Sequence, residues 1–143
     1  MEPVLHLSLP VRDLDESKHF YVDVLGCPVG RERPGFIDVW FYGLQLTLQD
    51  RPEQVLPAEQ RGVRHFGVAL SADDFAALLA RLESHEVEWL SEVSTDHLGT
   101  PQEQTKAKIL DPSGNAIELK TYADLSSAFD VPVAVSKRVD AER

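Results

Sequence analysis

Two histidines and a glutamate occupy matching places in the two halves of this chain. His6 lies in Val4-Leu5-His6-Leu7-Ser8-Leu9, His65 in Val63-Arg64-His65-Phe66-Gly67-Val68, and Glu118 in Gly114-Asn115-Ala116-Ile117-Glu118-Leu119. Two imidazoles and one carboxylate that meet in space bind a divalent metal and leave positions on it open to other ligands. Whether the three meet depends on the elements that carry them.

Those elements repeat. Residues 4–11 alternate, with Leu5, Leu7 and Leu9 to one side and His6 and Ser8 to the other, as in a half-buried strand. Pro10 closes it or sits at its edge. Asp13, Asp15, Glu16 and Ser17 supply a cap and an acidic first turn. Leu14, Phe20, Tyr21, Val24 and Leu25 form the apolar stripe of a helix that Gly26 ends. Strands are expected over 28–32, 36–42 and 44–49, and the last sets Leu44, Leu46 and Leu48 against Gln45, Thr47 and Gln49. After a polar, proline-containing connector the order starts again. A strand over 65–70 leads to a helix capped by Ser71-Ala72-Asp73-Asp74 and running over 75–84, striped by Phe75, Leu78, Leu79 and Leu82. A strand over 87–93, a polar loop over 94–104, a strand over 105–110, a tight turn at Asp111-Pro112-Ser113-Gly114 and a strand over 115–121 complete it. The chain reads strand–helix–three strands, twice: a duplication, with one repeat per half. In each of three strands the chemistry-bearing residue opposes the apolar set: His6 opposes Leu5 and Leu7, His65 opposes Phe66 and Val68, and Glu118 opposes Ile117 and Leu119. The apolar sides are expected against helices, and the three donors on one concave surface.

Bulk properties narrow the class. The chain has 143 residues, 43% hydrophobic and 27% charged, which suits one globular domain. No apolar run approaches membrane-spanning length, and Met1-Glu2-Pro3 has no signal-peptide pattern, so a cytoplasmic location is expected. A net charge of −10 argues against nucleic acid as a partner. Cys27 is the only cysteine, which excludes an internal disulfide and a thiolate zinc site; it reads as structural.

Four segments carry a resemblance. They are 6–14 (His-Leu-Ser-Leu-Pro-Val-Arg-Asp-Leu), 17–26 (Ser-Lys-His-Phe-Tyr-Val-Asp-Val-Leu-Gly), 65–69 (His-Phe-Gly-Val-Ala) and 111–118 (Asp-Pro-Ser-Gly-Asn-Ala-Ile-Glu). In this order the chain resembles the vicinal oxygen chelate superfamily of glyoxalase I, type I extradiol dioxygenases, fosfomycin-resistance transferases and bleomycin-binding proteins, over roughly residues 4–122. The resemblance implies an α+β fold. Two βαβββ modules form an open, barrel-like curved mixed sheet around a metal cavity, with helices outside. It divides a single domain, 1–143, into module one at about 4–50, a connector at 51–62, module two at about 63–122 and a tail at 123–143. It further implies His6, His65 and Glu118 as ligands of one divalent metal ion, with Fe(II) or Mn(II) favoured over Zn(II) or Ni(II). The partners are a small-molecule substrate and a second copy of the chain in a homodimer, in which modules pair within one chain or between chains.

Other residues stay open between a role and a bland reading. Gln45, where glyoxalase I usually has a further carboxylate ligand, contacts substrate or a metal-bound water, or is a satisfied strand residue. Ser8 holds substrate or merely fits. Lys108 neutralises a substrate oxyanion or reaches to solvent. Trp40 and Asp38 share a face that lines the cavity, or Trp40 is core. His19 and His85 read as exposed helix residues, and His97 as a loop residue or an acid–base group above the cavity. Dioxygenase-type chemistry leads, with Gln45 and Lys108 as catalytic candidates and Ser8, Trp40, Gln45 and Lys108 as substrate contacts. A glyoxalase-type isomerase or lyase lacks its usual glutamate at Gln45. A fosfomycin-resistance-like transferase has Lys108 in place of a tyrosine and Ser126 in place of an arginine. A non-catalytic binder of a drug or metabolite needs no metal.

Overall fold

In a computed structural model of the chain, residues 1–128 are described. The first half runs β1 (His6–Val11), α1 (Leu14–Lys18), a π-helical turn (His19–Val24), β2 (Val29–Arg33), β3 (Phe36–Phe41) and β4 (Leu44–Asp50). Two short 3-10 turns, Pro52–Gln54 and Ala58–Gln60, lie in the connector. The second half runs β5 (Phe66–Leu70), α2 (Ala72–Glu83), β6 (Glu88–Asp96), β7 (Gln104–Leu110) and β8 (Ala116–Tyr122), followed by a 3-10 turn at Leu125–Ala128. The last part of the tail lies outside the described residues. No helix among the described residues is long and apolar enough to cross a membrane.

The strands form two separate four-stranded sheets, ordered β1-β4-β3-β2 and β5-β8-β7-β6. β1 pairs with β4, and β5 with β8, in parallel; the other neighbours are antiparallel. The architecture is the expected α+β pair of βαβββ units. The sheets remain open and are not closed into a barrel.

Alternation sets which face is buried. Leu46, Leu48, Val39, Ile109, Ile117 and Leu119 are fully buried on one side of their sheets. With Phe20 and Val24 from the first helical segment and Phe75, Leu78 and Leu82 from α2 they form one core. Leu5 is a correction: it lies before β1 and is 74% exposed, so the buried stripe of that strand begins at Leu7. The strand expected over 65–70 begins one residue later, at Phe66, and β6 runs on to Asp96, shortening the loop that follows.

Both helices start at the caps the sequence implied. Asp13 accepts the Glu16 amide at 2.9 Å, and Ser71 accepts the Asp74 amide at 3.2 Å. The first helix widens after Lys18 into a π-turn, which no local pattern announced. Its carbonyl end is capped from the other half. Arg81 of α2 donates to the carbonyls of Val24 at 2.8 Å and Asp23 at 2.9 Å. Gly26, at φ +80°, leaves room for that guanidinium.

The halves are pinned at the turn between β7 and β8. The Asp111 carboxylate, 1% exposed, accepts from Tyr21 Oη (2.8 Å), Asn115 Nδ2 (2.8 Å) and the amides of Ser113 (2.8 Å) and Asn115 (2.9 Å). Burial pushes its pKa up, and the four donors only partly offset that. The same turn takes the Arg12 amide on Ser113 Oγ at 2.9 Å and sends Asn115 Nδ2 to the Pro10 carbonyl at 3.2 Å. Asp111→Ala would leave these buried donors unmatched. It is expected to cost about 2–3 kcal/mol, with Tyr21→Phe costing about 1 kcal/mol, read by urea denaturation.

Candidate metal centre

Glu118 and His65 meet. His65 Nε2 lies 3.1 Å from Glu118 Oε2. The other ring nitrogen, Nδ1, is 2.7 Å from the Val63 carbonyl. A carbonyl only accepts, so Nδ1 carries the proton there, and Nε2 points at a carboxylate oxygen. Two lone pairs cannot face each other at that distance without a proton or a cation to share. A backbone carbonyl behind the imidazole is the usual support of a metal-binding histidine. The pair fits two of the three ligands inferred for a metal.

Glu118 itself is 8% exposed. Burial acts to raise its pKa, but Lys120, Lys108 and His65 outweigh this and hold it below the ordinary carboxylate value. Lys120 Nζ is 2.8 Å from Oε1, and Lys108 Nζ is 3.7 Å from Oε2. The register explains the gathering. Gly67, Glu118, Lys108 and Ser91 form one row across the sheet, and Ala69, Lys120, Lys106 and Ser94 the next. Lys106 is paired with Asp96 at 2.7 Å. Lys108 thus shares the Glu118 face, as alternation implied. Lys120 and Lys106 share that face too, and their spacing of two from Glu118 and Lys108 is the sequence signal for it.

His6 stands elsewhere. It is exposed on β1, in a row with Gln45 and Trp40 on the other sheet. Among the described residues no group of three or more His, Cys, Asp or Glu side chains could hold a metal ion. The expectation that all three donors share one concave surface is therefore corrected for the single chain. They lie on two separate sheets, and alternation within a strand does not decide how sheets are arranged.

The face that carries His6 has its own polar row: Ser8, Thr47 and Asp38 are cross-strand neighbours. Gln49 Nε2 donates to Ser8 Oγ. Asp38, 1% exposed, accepts from Thr47 Oγ1 at 2.6 Å and Arg31 Nε at 2.6 Å. Burial acts to raise its pKa, but these two bonds, the Arg31 charge and that of His6 leave it below the ordinary value of 3.8. Glu118 is paired two residues beyond His65, at Gly67, and the residue paired two beyond His6, at Ser8, is Thr47; Gln45 pairs with His6 itself. The further histidines lie apart from both rows. His19 pairs with Asp23 at 2.9 Å on an exposed helix face, His85 is exposed, and His97 occupies a left-handed turn at φ +55°. Cys27 is buried and its thiol is pushed up to about 11, which suits a packing role.

The comparisons bear on the family and the fold. A family model described as Glyoxalase/Bleomycin resistance protein/Dioxygenase superfamily matches residues 4–119, and the chain belongs to that superfamily. No curated protein matches it. Among solved structures, a glyoxalase/bleomycin resistance protein/dioxygenase from Alicyclobacillus acidocaldarius is 30% identical, with a TM-score of 0.80 over 89% of this chain and 96% of its own. A genomically encoded fosfomycin resistance protein from Listeria monocytogenes superposes with a TM-score of 0.67 at 13% identity, over 85% of this chain and 93% of its own. A lactoylglutathione lyase from Agrobacterium tumefaciens gives 0.60 at 19%, over 85% and 94%. The last two bear on the fold alone.

Two predictions follow from the site's framework. A Cβ on Gly67 would lie 1.9 Å from the Glu118 carbonyl oxygen, so Gly67→Ala must push β5 from β8. It is expected to destabilise by about 2 kcal/mol or more, read as a lowered denaturation midpoint. A depressed Asp38 pKa adds stability above the unfolded value, and that stability is lost as pH falls through the folded one. Asp38→Asn should flatten the acid limb of the stability–pH curve below about pH 4, and an unchanged slope would rule out this role.

Proposed function

We propose that the chain is a metal-dependent enzyme of this superfamily, acting as a homodimer in which His6 of one protomer completes a site with the His65–Glu118 pair of the other. The observation that carries the reading is the His65–Glu118 contact, with its carbonyl-fixed imidazole and ionised carboxylate, on a face separate from His6. The missing imidazole is exposed on β1. A two-fold dimer would place each His6 face over the partner's Glu118 face and generate two equal sites.

A divalent metal held by His6, His65 and Glu118 would supply Lewis acidity and open positions for two neighbouring substrate oxygens. The protein's own groups do the rest. Val63 keeps the imidazole of His65 in one tautomer and orientation. Glu118 contributes the negative charge. Lys108 and Lys120, which neutralise Glu118 here, would turn to a substrate oxyanion once a cation occupies the carboxylate, which selects an anionic chelator. Gln45, Trp40 and Ser8 line the facing wall. The two-histidine, one-carboxylate donor set keeps dioxygenase chemistry on Fe(II) or Mn(II) first, with isomerase or lyase chemistry on Zn(II) or Ni(II) second.

A metal-free binding protein is the second reading. Its support is that the lysines already satisfy Glu118 without a metal.

The test is metal stoichiometry combined with subunit mixing. Wild type is expected to be a dimer by light scattering and to bind one ion per chain. His6→Ala and His65→Ala should each lose it. Equimolar mixing with subunit exchange should restore about one site in four, because half of the dimers are mixed and each has one intact ligand set. A monomer that binds metal, or no recovery on mixing, would reject the shared site. No metal uptake by wild type would favour the binding protein.

A further inference from the structure

A cavity of about 340 Å³ lies between β1, the start of β5 and the connector. Its apolar wall comes from Leu7 and Leu9 of β1, Phe66 of β5, and Val55 and Leu56 of the connector. Leu7 and Leu9 are on the face of β1 opposite His6 and Ser8, and no residue of the Glu118 row lines it. It is thus distinct from the sheet face that carries the Glu118 row. His65 alone belongs to both, with its ring in this wall and its Nε2 toward Glu118. The volume lies within the range of small-molecule sites.

The rim carries two guanidiniums, Arg61 and Arg64. Acidic residues outnumber basic ones 24 to 14 in this chain, and Arg12 and Arg31 each hold a carboxylate. Among the described residues, Arg61 and Arg64 hold none. They are tethered instead to carbonyls: Arg61 Nε to Leu56 at 3.2 Å and Arg64 Nη1 to Arg61 at 3.2 Å. Gly114 makes the place for Arg61, since a Cβ there would stand 2.3 Å from its Cζ. Each tether uses one donor and leaves the others of the planar fork for an anion, with a geometry that suits a carboxylate.

We infer that this cavity binds a small carboxylate with an apolar body, the body against Leu7, Leu9 and Phe66 and the carboxylate against Arg61 and Arg64. The inference does not rest on a bound metal: it shares only His65 with the candidate metal pair, and its anchors are Arg61 and Arg64.

Calorimetric titration of the full chain with 3-phenylpropionate, beside its uncharged counterpart 3-phenylpropanamide, tests it. The acid is expected to bind saturably, and the amide about tenfold more weakly or worse. Arg61→Met and Arg64→Met, both at the rim, should each weaken the acid about tenfold with an unchanged denaturation midpoint. Lys106→Met, on the Glu118 face and outside the cavity wall, should leave its affinity as it is. Equal binding of acid and amide, indifference to both arginine variants, or no saturable binding of the acid would overturn the assignment. Loss of binding in Lys106→Met would place the ligand on the Glu118 face instead, and equally overturn it.

Discussion

The buried carboxylate of Asp111 is the contact on which the placement of the two halves turns. Its donors come from the first helix and from the turn that contains it, and the same turn grips the end of β1 through Ser113 and Asn115. A carboxylate in a dry site tolerates little misalignment, since each lost donor leaves a buried group unsatisfied. The junction therefore acts as a rigid hub. With Arg81 capping the helix of the first half from the second, it holds both helical segments in one core. His6 and Glu118 then belong to separate sheets of the chain, and separation of the candidate ligands is a consequence of how the core is closed.

That consequence shows which parts of the molecule were legible in the sequence. Burial of one sheet face forces a period of two, so Leu46 and Leu48 against Gln45, or Ile117 and Leu119 against Glu118, could be read directly. The caps at Asp13 and Ser71 were equally local. What was not local was not legible. Tyr21 and Asp111 are 90 residues apart, and nothing in either segment says that they touch. Alternation assigns a side chain to a face but is silent on which faces confront each other, so the joint geometry of His6, His65 and Glu118 lay beyond it. The π-turn at His19–Val24 escaped because its apolar spacing also fits an ordinary helix. Lys120 shares the Glu118 face by the same alternation, but a strand lysine two positions from a carboxylate fits a solvated surface equally well.

The polar faces of the two sheets carry different charged groups. One sets Lys108 and Lys120 against Glu118, with Lys106 paired to Asp96 beside them. The other sets a buried Asp38 among neutral hydroxyls and amides, with the Arg31 guanidinium at its margin.

β2 and β6, each at one edge of its sheet, are largely exposed and carry register irregularities against their neighbours. They also bear charges: Arg31, Glu32 and Arg33 on one, Glu88, Glu92 and Asp96 on the other. A flat edge with free amides and carbonyls would recruit strands from other molecules and grow without limit. Twisted by bulges and studded with charge, these borders resist such addition. These two edges can therefore stay open to water without recruiting further strands, which an open architecture requires of them.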